Sequence, residues 1–138
     1  MMPRLLLISL FAVLLLAAAG LAGEERILYG TYRSDYQDRP QRMRVLFKPV
    51  EQEQGAWLVS FDFTYGKRSY TYSGTARGSF EEGEIGGLVE NESGARSFTF
   101  FLQERKGNFS GTHAEVIGGS EEPTGTLTLK EKSRKKPE

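Results

Sequence analysis

The 138-residue chain contains no cysteine, one histidine and one tryptophan, and these shortages set limits before any pattern is read. Without cysteine there are no disulfide staples, thiolate metal sites or cysteine nucleophiles, so stability rests on packing and on the hydrogen-bond ladder. With His113 as the only histidine, a histidine cluster is impossible, and a zinc site would need one imidazole plus carboxylates. No charge of one sign dominates: 18 Lys and Arg residues meet 18 Asp and Glu residues. Nothing in that balance draws the chain to nucleic acid, which is not expected as a partner. A helical period is missing from every segment after residue 22.

What the first residues hold is an address. Arg4, the apolar run from Leu5 to Ala19 and the small residues Gly20 and Ala22 read as a signal-peptide helix over 1–22, cleaved after Ala22. The run is short for a membrane span and is followed by Glu24 and Glu25. Leu21-Ala22-Gly23 looks like the front of a bacterial lipoprotein box, but Glu24 stands where the lipid-bearing cysteine would be. A secreted or periplasmic location follows, with no stable membrane insertion after cleavage. Loss of the leader removes only Arg4 from the charge balance, leaving 17 basic against 18 acidic residues.

The rest reads as one domain over 23–130 and a disordered basic tail over 131–138. The domain is organised around Ala56 to Phe80. Trp57, Val59, Phe61, Phe63 and Tyr65 alternate with Ser60, Asp62 and Thr64, the period of a strand buried on one face. After Gly66-Lys67 the alternation resumes with Tyr70 and Tyr72, which predicts an antiparallel hairpin with a two-residue turn. Further strands are read over Arg26–Arg33, Glu84–Glu90 and Asn108–Ile117, and alternation marks those over Arg42–Lys48, Arg96–Gln103 and Thr124–Lys130. A bulge or bend is expected at Gly78, a hairpin loop of about four residues over Glu104–Gly107, and a loop over Gly118–Pro123.

About eight strands at close intervals, with no room for crossovers, predict an all-β fold. The expected architecture is an antiparallel up-and-down meander forming a small barrel, with a β-sandwich as the alternative. An outer-membrane barrel is disfavoured, because the second face of most strands carries Arg, Lys, Ser, Thr and Asp. Gly-Thr recurs at Gly30-Thr31, Gly74-Thr75, Gly111-Thr112 and Gly125-Thr126. Those glycines read either as points of tight strand coiling or as space left for a ligand.

Meandering strands in an exported chain with Gly30-Thr31-Tyr32 in the first of them resemble the calycin group of barrels, which includes lipocalins and avidins. In that group an early Gly, any residue, then Trp supplies a ring that plugs one end, and a late basic residue stacks on it. The resemblance places Tyr32 at the plug, with Lys130 as the residue that could stack. It implies a non-catalytic cup for a small molecule, and no biotin-site residue of the avidins carries over.

From the residues themselves, parity turns Trp57, Phe61, Phe63, Tyr65, Tyr70, Tyr72, Phe80, Phe98, Phe100 and Phe109 inward. Close packing is the ordinary outcome, and a lined cavity is the functional one. The candidate ligand-binding residues are Trp57, Phe61, Tyr70, Tyr72, Phe98 and Phe100, with His113 and Glu115 as polar candidates. His113 and Glu115 share a strand face, so a His–carboxylate pair is one possibility and a solvated or rim position the other. Glu81, Glu82 and Glu84 crowd one turn but lack the ligand spacing of a calcium loop. No cofactor, metal or catalytic residue is implied. The expected function is binding of a small apolar or sugar-like ligand; the alternative is a solid-cored structural, interaction or inhibitor domain that meets an envelope protein.

Overall fold

The computed structural model describes residues 24–132; the leader expected over 1–22 and the tail from residue 133 lie outside them. Eight strands follow one another in chain order. They are β1 (Arg26–Ser34), β2 (Gln41–Pro49), β3 (Ala56–Tyr65), β4 (Arg68–Ser79), β5 (Glu84–Glu90), β6 (Ser97–Arg105), β7 (Asn108–Ile117) and β8 (Ser120–Glu131). Each pairs antiparallel with the next, and β8 returns to pair with β1 through Leu28↔Glu131 to Ser34↔Gly125, closing the barrel. That last ladder decides between the expected barrel and the alternative sandwich. Closure leaves no open sheet edge among the eight strands.

The alternation read from the sequence is the alternation seen. Leu28, Val45, Phe47, Val59, Phe61, Ile85, Leu102, Phe109, Leu127 and Leu129 are buried, while Arg42, Arg44, Thr71, Ser73, Thr112 and Thr128 on the intervening positions are exposed or partly so. The central hairpin turns on Gly66-Lys67, with Tyr65 paired to Arg68 and Gly66 at φ +65°. A residue with no Cβ adopts that conformation without penalty.

Several local expectations are corrected. The β6–β7 loop is the two residues Lys106-Gly107, both with positive φ (53° and 82°), which is the signature of a type I′ turn rather than a four-residue loop. The β4–β5 ladder runs unshifted through Gly78↔Ile85, so of the bulge or bend expected at Gly78 the bulge is absent from this ladder, while Gly78 takes a positive φ of 144°. A register shift falls instead at His113/Ala114 in the β7–β8 ladder, with Thr124 as the extra residue between Pro123 and Gly125. The expected loop over Gly118–Pro123 shortens to Gly118-Gly119, because β8 begins at Ser120 and carries Pro123 beside the bulge. At its other end β8 includes Lys130 and Glu131 rather than fraying at Lys130.

The repeated glycines belong to the wall, not to a ligand space. A Cβ on Gly30 would lie 2.0 Å from the Thr128 carbonyl oxygen, and one on Gly111 would lie 1.7 Å from that of Phe101. Gly74 and Gly125 meet neighbouring carbonyls in the same way. Adjacent strands coil so closely at these points that only glycine leaves room.

Candidate functional site

Register sorts the inward side chains into two ends. The end reached by Arg26, Phe47, Trp57, Phe109 and Leu129 is filled. Phe80, from the β4–β5 turn, inserts there with its ring 5.2 Å from that of Phe47, 5.1 Å from Trp57 and 5.6 Å from Phe109, all steeply inclined. Such edge-to-face contacts let large rings fill a narrow bore without voids. The Trp57 indole N–H donates to the Gly78 carbonyl at 3.1 Å. Arg26 lies over the Phe80 ring at 4.6 Å and donates to both Glu131 carboxylate oxygens, one at 2.9 Å.

Two expectations fail here for one reason. Trp57 is not among the residues lining the open-end cavity, because it sits at the start of β3, on the filled end. Tyr32 is not the plug, because it sits near the end of β1, at the opposite end of the bore. Parity fixes the face a residue points to but not its height along the axis. Lys130 pairs with Tyr29 in the β1–β8 ladder on the outer surface, and stacks on no plugging ring. At the filled end a cation does lie over a ring, but the pair is Arg26 and Phe80, with Trp57 beside them.

The other end is hollow. A cavity of about 250 Å³ opens there, and the remaining candidates all line it: Phe61, Tyr70, Tyr72, Phe98 and Phe100, with His113 and Glu115. Phe61 and Phe100 form its floor, ring centroids 4.8 Å apart. Phe63 stacks on Tyr70 at 5.7 Å, and Tyr72 meets both Phe63 (5.3 Å) and Phe98 (5.6 Å), so β3, β4 and β6 present a continuous aromatic wall. Tyr32 completes it from β1, its ring 5.3 Å from Phe63 and its hydroxyl donating to the Thr64 carbonyl at 2.7 Å. Burial pushes the Tyr32 phenol up to about 12 and also raises that of Tyr72.

The polar groups gather on the β6–β7–β8 side. His113 Nε2 lies 3.1 Å from the Arg33 carbonyl, which can only accept, so this nitrogen carries the proton. Nδ1 lies 2.7 Å from the Thr124 hydroxyl, whose single proton is within reach of both this nitrogen and the His113 carbonyl, 3.1 Å away. Burial lowers the His113 pKa, with the Arg33 hydrogen bond and the charge of Asp35 opposing it. The imidazole thus clips β7 to the bulge of β8 and to β1, and its ring edges meet Tyr32 and Phe98.

Glu115 does not pair with His113. Its Oε2 accepts from Arg96 Nε at 2.8 Å, and this bond raises the Arg96 pKa. Arg96 lies over the Phe98 ring at 5.5 Å. The β5–β6 loop holds it in place: Asn91 Oδ1 accepts from the Arg96 backbone N–H, and the Asn91 N–H donates to the Arg96 carbonyl.

Arg96 and Thr124 were not among the sequence candidates. Arg96 could have been found by running the Phe98–Phe100 alternation back one step. Thr124 could not, because the bulge breaks the parity on which such reasoning depends. Among the described residues no three His, Asp or Glu side chains converge as a metal ion requires, the Glu81–Glu84 turn included. Comparison with family models, curated proteins and solved structures finds no match to this chain, so the site is read from its own geometry.

Proposed function

We propose that this domain is an exported binding protein that holds a small, largely apolar ligand in the open half of its barrel, in the manner of calycin-type barrels. The observation that carries the reading is the aromatic cavity of about 250 Å³ at one end of a bore whose other end is filled by the same kinds of ring. An eight-stranded barrel has just enough interior for either outcome. Concave, mostly apolar sites with a few grouped polar atoms are the usual form of small-molecule sites. The plug of rings under Arg26 adds support for the calycin-like reading. Holding rather than transforming the ligand fits the polar groups, since both His113 nitrogens are taken and Glu115 is bound by Arg96. The exported address rests on residues 1–22, and N-terminal sequencing of the mature protein should begin at Gly23.

Calorimetric titration with apolar, aromatic and sugar-like compounds tests the cup. Binding should be weakened at least about tenfold by Phe98→Ala and left intact by Trp57→Phe, tenfold being about 1.4 kcal/mol. Equal loss in the two variants would overturn the site, and no binding across the panel would overturn the function.

One observation favours a second reading, contact with a protein through the outer wall. Leu58, Leu88 and Phe101 are exposed by 52, 44 and 43 % on β3, β5 and β6, with Thr75 between the two leucines in the register. Under that reading Leu88→Ser would abolish capture of a partner while ligand titrations stay unchanged.

A further inference from the structure

The cavity's polar side says more about its ligand than apolar lining alone. Arg96 and Glu115 both line the mouth, and their mutual bond uses one atom of each, Nε and Oε2. The two terminal NH₂ groups of Arg96 and the second oxygen of Glu115 have no other hydrogen-bond partner among the described residues. The mouth therefore offers donors and an acceptor side by side. Its charge sums to zero at neutral pH, because burial disfavours the charged form of His113 and Asp35 does not line the cavity.

Placing a charged ligand there has a specific penalty. A carboxylate drawn to Arg96 must lie beside Glu115, whose side chain is only 17 % exposed and whose repulsion is weakly screened by water. An ammonium drawn to Glu115 meets the charge of Arg96, which is 57 % exposed and so the better screened of the two. A neutral head with an acceptor next to a donor has neither conflict. Its acceptor takes an Arg96 N–H, its donor gives to the free Glu115 oxygen, and both bonds are charge-assisted.

We infer that the Arg96–Glu115 pair selects ligands with an apolar, ring-sized body and a neutral donor–acceptor head of the amide or lactam class. This rests on the cup reading above and names the chemistry the cup prefers. The pair is a specificity device, since each partner cancels the charge the other would recruit.

The test uses matched triplets on three bodies: benzamide, benzoate and benzylammonium; naphthamide, naphthoate and naphthylmethylammonium; hexanamide, hexanoate and hexylammonium. Each is titrated calorimetrically at neutral pH and low salt into the folded wild type, Glu115→Gln, Arg96→Gln and Phe98→Ala. In the wild type the amide should bind about tenfold or more tighter than either charged analogue on the body that fits best. Glu115→Gln should move the preference to the carboxylate and Arg96→Gln to the ammonium, each by about tenfold, an interaction change near 1.4 kcal/mol. Phe98→Ala should weaken all three members alike and leave their order unchanged. If Phe98→Ala weakens binding but the order of charged analogues is the same in all proteins, the inference falls and the cup stands. If the wild type already prefers the carboxylate, Arg96 acts as a lone anion anchor and the inference falls. If no member of any triplet binds, the cup reading falls and takes this inference with it.

Discussion

At one end of the barrel Phe47, Trp57, Phe80 and Phe109 fill the bore, and at the other Phe61, Phe63, Tyr72, Phe98 and Phe100 only line it. The difference does not lie in residue type, since both ends are aromatic. It lies in what the connecting turns deliver. The β4–β5 turn sends Phe80 into the bore, where it touches three other rings. At the open end the β3–β4 and β7–β8 turns are the two-residue pairs Gly66-Lys67 and Gly118-Gly119, which have no apolar side chain to insert. Tyr36, on the longer β1–β2 loop, lines the mouth but remains 79 % exposed. A cup results wherever a closed bore lacks an inserting ring, and hydroxyl-bearing tyrosines are the rings that tolerate the wet position.

The largest expected effect separates the two ends by stability. Phe47 is fully buried against Trp57, Phe80 and Phe100, so Phe47→Ala should cost about 3–5 kcal/mol in urea unfolding. Phe98 is half-buried beside a cavity that already exists, and Phe98→Ala should cost roughly 1–2 kcal/mol, below the usual range for buried rings. Equal losses would break the comparison.

Next in size is stabilisation by ligand. At a hundred times its Kd, a ligand bound only by the folded state should add about 2.7 kcal/mol, and that increment should persist in a Phe47→Leu background. Loss of the increment there would mean that the filled end is part of the site. A smaller effect concerns the two cations that lie over rings. Arg26→Gln removes a contact to Phe80 and an ion pair with Glu131, both partly buried, and should cost about 1 kcal/mol. Arg96→Gln at the more exposed mouth should cost at most about half of that, measured by the same unfolding curves.

The smallest effects are pH-dependent and of opposite sense, and both arise at the open end. Burial holds the folded-state pKa of His113 below its ordinary 6.5. The unfolded chain therefore binds the proton more readily, and the contribution is whole above pH 6.5 and lost as pH falls from there toward the folded-state value. Unfolding curves of His113→Gln should lack that acid slope. Tyr32 is raised from 10.0 to about 12, so its contribution is whole below pH 10 and lost as pH climbs toward 12. Tyr32→Phe should remove the loss, as read from unfolding curves taken between about pH 9 and pH 12.

Much of the fold could be read from period-two alternation, because each strand buries one face and the signal is local. Closure could not, because it depends on β1 meeting β8 across the whole chain, with Gly30 pressed against Thr128. At the site, parity correctly turned Phe61, Tyr72 and Phe98 inward. It could not separate Trp57 from Tyr72, because height along the bore depends on strand stagger. Nor could it show that Glu115 would bond Arg96, since that partner comes from a loop ordered by Asn91.

The seam between β1 and β8 also bears on when the molecule can form. Arg26 and Glu131 are 105 positions apart, so a growing polypeptide lacks the stave that completes the cask until β8 has been made. Until then both flanks of the half-made sheet stand unpaired, and folding of the whole waits on the last strand to emerge.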